Sequence, residues 1–275
     1  MPVVPTHKKE GCTMDANSPI NADGRTYHLQ TREGDLARLC LLPGSPERAE
    51  MIAKNFFKDA KLVGDHRGSR SYTGTVNGVP MSVVNTCMGP SQTAIIVPEV
   101  HTSGGRILIR VGSCSALWPE PKPGESAICD RALRFDGASD NWVPHENYQA
   151  VPDPRVTSAL VVAAQILGLP HYVGVEATTS CFVAGQGRPD INGYIPPHMK
   201  ERHQSLIDRK VLCYSMEAAT LFTWCDMIGK CPAGAINAIY GNRITNEFEA
   251  KGDEQATMIA IKALLMLNYE IPRST

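Results

Sequence analysis

A charged residue interrupts an apolar stretch in the middle of the chain. Arg110 follows the apolar residues 107–109 and is itself followed by Val111, Gly112 and Ser113. A short apolar run between glycines is typical of a buried strand in a parallel sheet. A buried guanidinium is costly unless an anionic group meets it. Two interpretations remain open: an ion pair with a carboxylate of the core, or a ligand anion at the carboxyl end of the strand.

A second group of residues suited to an anion lies nearer the N-terminus. The apolar residues 39–42 are followed by Gly44 and by Ser45, which can cap a helix whose first turn contains Arg48. Helix N-termini bind anions through their free N–H groups, and guanidinium groups match the oxygens of phosphate. No Walker or dinucleotide-binding pattern occurs in the sequence. Together with Arg110, these residues indicate inorganic phosphate or a phosphomonoester.

Two further groups are suited to the parts of a nucleoside. Glu217 follows Met216 at the start of a predicted helix, where a carboxylate can accept hydrogen bonds from both hydroxyls of a ribose. Gln186 and Arg188 offer donors and an acceptor to the polar edge of a planar ring, and Phe182 can stack on that ring. Each group alone also has a structural explanation, such as compensation of a helix dipole by Glu217. In combination they indicate a nucleoside together with phosphate.

Composition narrows the class of protein. The chain has 275 residues and a net charge of -1, which gives no electrostatic footprint for nucleic acid or an anionic membrane. Its nine cysteines form no CxxC pair and are expected to be reduced thiols of a cytoplasmic protein. No apolar run approaches the roughly 18 residues of a membrane span. We expect a mobile arm over residues 1–24 and one folded domain over residues 25–275.

Alternating strands and helices must position these residues. Asn77 and Gly78 predict a tight hairpin between two of the strands. The alternation predicts a single-domain α/β protein with three layers, in which helices flank a central sheet. Strands are predicted over 39–42, 59–63, 71–76, 79–85, 106–113, 127–131, 173–178, 211–214 and 233–239. Helices are predicted over 46–53, 92–100, 156–167, 196–210, 216–228 and 253–267.

In this order and spacing, the motifs resemble the hexameric branch of the nucleoside phosphorylases. The similarity covers the chain from about Tyr27 to the C-terminus, and it implies a central mixed sheet in a catalytic domain over residues 25–275. The matching segments are Tyr27-His28-Leu29, Leu42 to Arg48, His66-Arg67, Arg110 to Ser113, Phe182 to Arg188, Tyr214 to Glu217 and Asn242-Arg243.

The resemblance implies a role for each matching residue. Those implied for phosphate are Gly44, Arg48, Arg110 and Ser113, together with Arg67 of a neighbouring subunit. Those implied for ribose are Met216 and Glu217, together with His28 of the neighbour. Those implied for the base are Phe182, Gln186 and Arg188, with Tyr240 nearby. The catalytic residues among them are Arg110, Glu217, Gln186 and Arg188.

The implied reaction is the reversible phosphorolysis of uridine to uracil and ribose 1-phosphate in pyrimidine salvage. Deoxyuridine and thymidine remain open as substrates, since Ser115, Tyr240 and Gly241 depart from the family pattern near the base. Asn242 stands near the position where purine-specific relatives are expected to carry an aspartate, which favours a pyrimidine. A purine nucleoside phosphorylase, a relative of the nucleoside hydrolase type and a noncatalytic nucleoside-binding protein are the alternatives.

The resemblance also implies a co-substrate and an oligomer, and it implies that neither a cofactor nor a metal ion takes part. Phosphate is a co-substrate, and no cofactor is expected. No metal ion is expected either, because the carboxylates that hold a monovalent cation in some bacterial members are missing here. A homo-oligomer built from dimers that share active sites follows if His28 and Arg67 complete a neighbouring site.

Overall fold

A mixed β-sheet with helices on both faces forms the body of the protein. We describe it from a computed structural model, which covers residues 14–144 and 148–271. The described strands are β1 (Leu39–Pro43), β2 (Lys58–His66), β3 (Ser69–Val76), β4 (Val79–Val84), β5 (Ile107–Ala116), β6 (Ser126–Phe135), β7 (His171–Thr179), β8 (Cys213–Ser215), β9 (Ala233–Asn242) and β10 (Glu247–Phe248). The described α-helices are α1 (Pro46–Phe56), α2 (Pro90–Thr102), α3 (Pro154–Leu167), α4 (Pro197–Asp208), α5 (Ala218–Trp224) and α6 (Asp253–Glu270).

The strands form one sheet in the order β10-β9-β6-β7-β8-β5-β1-β4-β3-β2. Strand β9 also pairs with β5, so that β5, β8, β7, β6 and β9 close into a ring. The sheet is mixed: β1 is parallel to β4 and β5, whereas β2, β3 and β4 form an antiparallel meander. The described fold therefore confirms the prediction of an α/β domain with a mixed sheet.

Strand β5 runs through the centre of the molecule and separates two apolar layers. Its residues Ile107, Ile109 and Val111 pack with buried residues of α1, α3 and α6. Leu108 points to the opposite face and packs with buried residues of α2 and α5. Because side chains alternate along a strand, Arg110 shares the face of Leu108. The sheet thus directs this arginine toward the N-terminal ends of α2 and α5.

Local sequence signals fix several element boundaries as predicted. The Ser45 hydroxyl accepts a hydrogen bond of 3.2 Å from the backbone N–H of Arg48 and caps α1. Asn77 and Gly78 have φ values of 50° and 77°, which a tight hairpin between β3 and β4 requires. Gly168 ends α3 with a φ of 65°. These boundaries depend on residues close together in the chain, which is why they could be predicted.

Two of the differences between the predicted and observed elements affect residues of the candidate site. The helix expected over 216–228 is α5, which begins at Ala218 because Glu217 has a non-helical backbone, and it continues as a π-helix over Cys225–Gly229. The strand expected to end at residue 113 continues to Ala116, because β9 and β8 supply pairing partners there. The short strand β10 was not predicted from the sequence.

The predicted N-terminal arm lies partly outside the described residues. Residues 1–13 are not described, whereas residues 14–24 form turns that include isolated bridges from Asp15 to Ser18 and from Ile20 to Thr26. None of the helices in the described part of the chain is both long enough and apolar enough to cross a membrane.

Candidate active site

Arg110 lies on β5 at the point where the neighbouring strand β1 ends. It pairs in register with Leu42, and β1 stops one residue later at Pro43. The residue is only 4% exposed. The expectation that β5 itself ends beside Arg110 is wrong, but the carboxyl end of its parallel neighbour does lie there. A crevice next to Arg110 is therefore a natural place for a ligand.

One donor of the Arg110 guanidinium is used by a carboxylate. Its Nη2 atom lies 2.5 Å from Oε2 of Glu217, and both side chains are 5% exposed. Glu217 immediately precedes α5, and its Oε1 atom accepts a hydrogen bond of 2.7 Å from the N–H of Gly89, which precedes α2. The backbone N–H of Met216 lies 3.2 Å from the other carboxylate oxygen. The carboxylate is thus fixed between the starts of two helices.

The other donors of Arg110 are left for a ligand. Its Nε and Nη1 atoms are buried and have no hydrogen-bond partner among the described residues. Gly44 borders the guanidinium closely, since a Cβ atom built on it would lie 3.6 Å from Nη2 and 3.9 Å from Nη1. An unpaired buried donor costs about 1 to 3 kcal/mol, and more when it is charged. The arrangement is therefore suited to an anion that reaches both free donors.

Arg48 approaches the same strand ends from α1 and is more fully engaged. It donates hydrogen bonds to the carbonyl of Val111 at 3.1 Å and to the Tyr240 hydroxyl at 2.7 Å, and it lies 3.0 Å from Asp253. Its Nε atom is buried without a partner among the described residues. Arg48 therefore keeps its Nε donor available for a ligand close to Val111, the residue that follows Arg110.

Tyr240, which the resemblance placed near the base, contacts Arg48 and Asp253 in the structure. Its hydroxyl joins the Arg48–Asp253 ion pair, donating to the carboxylate at 2.8 Å. None of its described contacts reaches Gln186 or Arg188. The structure thus brings Tyr240 together with an arginine of the predicted phosphate group rather than with the predicted base group.

The residues predicted for a base form one compact group. Arg188 donates hydrogen bonds to the carbonyl of Phe182 at 2.8 Å and to the side-chain oxygen of Gln186. Its guanidinium lies 3.8 Å from the centre of the Phe182 ring, which is 54% exposed. Ser115 accepts a hydrogen bond of 3.1 Å from Arg188. Because Ser115 and Arg110 share β5, this strand links the base group to the Arg110–Glu217 pair.

A second arginine holds the loop of the base group in place. Arg243 donates hydrogen bonds to the carbonyl oxygens of Gln186 and Gly187 at 2.9 Å and 3.2 Å. Burial, with the nearby charge of Arg243, lowers the pKa of Arg188 to about 10. Burial therefore disfavours the charged form of the Arg188 guanidinium. A ligand that carries negative charge would stabilise it.

Three predicted residues are not joined to these groups by the described contacts. The Nδ1 atom of His28 lies 2.7 Å from Glu99 of the same chain. Arg67 is exposed in the turn between β2 and β3, with its guanidinium 5.7 Å from the Tyr27 ring centre. Ser113 is half-buried on β5, three residues after Arg110. Roles for His28 and Arg67 in a neighbouring subunit stay predictions.

A buried carboxyl group beside the site was missed by the sequence analysis. Glu176 lies on β7, is completely buried and receives hydrogen bonds from Asn237 and Ser215. The signal was present: a charged residue in a run predicted to be a buried strand, the same observation that singled out Arg110. No group of three or more His, Cys, Asp or Glu side chains in the described part of the chain has the arrangement of a metal site.

Comparisons with known proteins agree with this arrangement. A family model described as the phosphorylase superfamily matches residues 38–267. The uridine phosphorylase of Thermococcus kodakarensis is 39% identical over 254 residues, which cover 92% of this chain and 91% of the relative. That of Escherichia coli is 34% identical over 243 residues, covering 87% and 95%. A DeoD-type purine nucleoside phosphorylase of Streptococcus uberis is 31% identical over 198 residues, covering 72% and 78%.

Proposed function

The chain belongs to the phosphorylase superfamily, and on that premise we propose that it catalyses the reversible phosphorolysis of uridine to uracil and ribose 1-phosphate. Several relatives that match most of the chain are named uridine phosphorylase. The structural observation that carries the proposal is Arg110, a buried arginine whose Nη2 atom pairs with Glu217 and whose Nε and Nη1 atoms have no partner among the described residues. Such a group favours a ligand that brings both an oxyanion and hydroxyl groups.

Phosphate takes the free donors of Arg110. Gly44 leaves the guanidinium accessible from the side of α1, where Arg48 offers one further donor. Ser113 supplies a hydroxyl on the same strand. Guanidinium groups bind phosphate oxygens in pairs, and burial strengthens each charge-assisted hydrogen bond. We assign the remaining contact to Arg67 of a neighbouring subunit, which its exposed position in a hairpin turn supports.

Ribose binds between the phosphate and the helix starts. Glu217 is held in place by Arg110 and by the N–H of Gly89. The lone pairs that these partners leave free accept hydrogen bonds from the ribose hydroxyls. Met216 is half-buried beside it and gives the sugar an apolar surface. His28 of a neighbouring subunit reaches the 5′-hydroxyl in this proposal, with its ring oriented by the hydrogen bond to Glu99.

The base binds to Gln186 and Arg188, with Phe182 at the ring face. Gln186 is 2% exposed and donates a hydrogen bond of 3.2 Å to Thr179, which fixes its amide. The Arg188 guanidinium places positive charge where the leaving base becomes negative. Preorganised donors of this kind stabilise developing charge without reorganisation during the reaction.

The reaction then needs no nucleophilic side chain. As the N-glycosidic bond breaks, its electron pair moves to uracil and positive charge develops on the ribose. A phosphate oxygen attacks the anomeric carbon from the opposite face, forms the new C–O bond and inverts the configuration. Gln186 and Arg188 stabilise the uracil anion until it takes a proton. Phosphate is thus a co-substrate, and no cofactor enters these steps.

The environment of Asn242 supports a pyrimidine. Its amide donates hydrogen bonds to the carbonyls of Trp118 and Pro121 at 2.8 Å and 2.7 Å. Its oxygen accepts from the backbone N–H groups of Ile244 and Thr245. All of its polar atoms are therefore used in holding the loop, and it has no donor to offer to the imidazole ring of a purine.

Release of uracil from uridine, measured with and without phosphate, tests the proposal. Release that requires phosphate supports it, with thymidine and deoxyuridine assayed in parallel to define the preferred nucleoside. Release without phosphate indicates a hydrolase instead. Binding of uridine without release indicates a nucleoside-binding protein, and phosphate-dependent release of hypoxanthine from inosine at a higher rate indicates a purine enzyme.

We further propose that the protein works as a homo-oligomer built from dimers that share active sites. The exposure of Arg67 and the contact of His28 with Glu99, rather than with Arg110 or Glu217, support this arrangement. A cytoplasmic location is supported by the eight cysteines described by the structure, all of which are free thiols. A fully active monomer in solution would contradict the shared site.

A further inference from the structure

Glu176 is a carboxyl group buried in the centre of the strand ring. It is 0% exposed, and it accepts a hydrogen bond of 2.8 Å from the Asn237 amide on β9. Its other oxygen accepts from the hydroxyls of Ser215 on β8 and of Thr178 on β7, the latter at 3.3 Å. Neutral donors from three strands thus hold one carboxyl group, and none of the steps proposed above uses it.

The partners of Glu176 connect it to both members of the Arg110–Glu217 pair, which we call the oxyanion site. Asn237 pairs with Gly112 on β5, and a Cβ atom built on Gly112 would lie 2.2 Å from Asn237 Oδ1 and 3.0 Å from Arg110 Nε. The Asn237 amide and the Arg110 guanidinium therefore both lie against the Cα atom of this glycine, which has no side chain to keep them apart. On the other side, Ser215 lies two residues before Glu217. Through Asn237 and Ser215, Glu176 is therefore connected to the surroundings of Arg110 and of Glu217.

The charges around Glu176 do not balance when an anion binds. The positively charged group that faces it is Arg110 on β5, and the negatively charged group is Glu217 before α5. Two thiols on adjoining strands also interact with Glu176, those of Cys129 on β6 and Cys213 on β8. Burial raises the pKa of Cys129 well above its usual range, and a hydrogen bond with Cys114 together with burial does the same for Cys213. One arginine would thus face two carboxylates and a dianion. Burial and the charge of Glu217 raise the pKa of Glu176 to about 7, although Arg110 opposes this shift.

We propose that Glu176 is a positioning residue of the oxyanion site, and that the site binds its dianion in the form in which Glu176 holds a proton. The inference rests on the proposed function, because it takes the anion at Arg110 to be phosphate. Where Glu176 is ionised in the free protein, one proton is taken up from solvent when the anion binds. The proton cancels the second carboxylate charge and leaves the charge of Arg110 to the ligand.

Sulfate is the probe for this inference, since it stays a dianion at pH values where phosphate changes its charge. Titration calorimetry in buffers of different ionisation enthalpy measures both its affinity and the protons taken up. For the unmodified protein, we expect uptake approaching about one proton per sulfate above neutral pH. Above the pKa of Glu176, the affinity for sulfate is expected to fall as the pH rises. Because one proton is taken up, the fall is at most about tenfold per pH unit.

Two variants separate this role from a structural one. In Glu176→Gln, sulfate affinity is expected to become independent of pH over this range, and the proton uptake is expected to disappear. Ser215→Ala keeps the carboxyl group but removes a donor to its ionised form, so the fall in affinity should move to higher pH. Asp136→Asn is the matched control, because Asp136 is also a buried carboxylate held by hydroxyls, those of Ser139 and Thr220. It should keep the pH profile of the unmodified protein.

Equal proton uptake by the unmodified protein and by Glu176→Gln would overturn the inference. A pH profile that Ser215→Ala leaves unmoved would also overturn it, even if Glu176→Gln failed to fold. Failure of the unmodified protein to bind sulfate would contradict an oxyanion site at Arg110 altogether. A protein that binds sulfate with proton uptake but releases no uracil in the presence of phosphate would contradict the proposed function and leave the role of Glu176 intact.

Discussion

Nη2 of Arg110 lies 2.5 Å from Oε2 of Glu217 in a part of the protein where both side chains are 5% exposed. This ion pair reconciles the two interpretations that the sequence allowed for Arg110. One donor of the guanidinium satisfies a carboxylate of the core, and the Nε and Nη1 donors have no partner in the described part of the chain. The same arginine can therefore stabilise the fold and bind an anion.

Removal of the Glu217 charge should destabilise the protein. Glu217→Gln leaves Arg110 buried without its carboxylate partner, a change that typically costs about 3 to 5 kcal/mol. Urea unfolding followed by circular dichroism measures the loss, and phosphorolysis of uridine should fall as well. Glu249→Gln is the control, since Glu249 pairs with Lys251 at the exposed surface. A Glu217→Gln protein as stable as this control would show that the ion pair contributes nothing.

Loss of the Arg188 guanidinium should slow the chemical step. Because Arg188 offers positive charge to the leaving base, Arg188→Ala is expected to reduce single-turnover release of uracil about 100-fold to 1000-fold. The KM for phosphate should change little. Arg209→Ala, at an exposed position after α4, is the control. Near-normal turnover of uridine by Arg188→Ala would show that the base group has been assigned wrongly.

The position of Tyr240 predicts an effect on phosphate rather than on base choice. Tyr240→Phe removes the hydroxyl that joins Arg48 to Asp253. A hydrogen bond to a charged group contributes about 1.5 to 3 kcal/mol, so we expect the KM for phosphate to rise about tenfold or more. The ratio of uridine to thymidine turnover should stay constant. A changed ratio with an unchanged phosphate KM would restore the base role that the sequence indicated.

The stability of the protein should fall as the pH rises toward neutrality. The pKa of Glu176 is raised from 4.5 to about 7, so the folded state binds more protons than the unfolded chain between these values. The resulting stability is fully present below pH 4.5 and is lost as the pH rises through about 7. The full change is on the order of 3 kcal/mol. Urea unfolding at several pH values should show this decline for the unmodified protein, whereas Glu176→Gln should lack it.

Much of the fold was predictable because its signals are local. Ser45 caps α1, Asn77 and Gly78 form the β3–β4 turn, and Gly168 ends α3, each through its own backbone preferences or a neighbour a few residues away. Apolar runs likewise identified the central strands. Arg110 and Glu217 could be singled out because a charge in an apolar run, or directly before a helix, is unusual whatever the rest of the chain does.

The sequence by itself determined the α/β architecture, the family and the set of polar residues from which a site can be built. Only the tertiary structure decided how these residues combine: that Tyr240 hydrogen-bonds to Arg48 and Asp253, and that the buried Glu176 interacts with the charge of Arg110. It also decided that β5 continues to Ala116, where it pairs with β9 and β8. These relationships join residues far apart in the chain, and they are set by strand register and side-chain packing. Local backbone preferences carry no information about either.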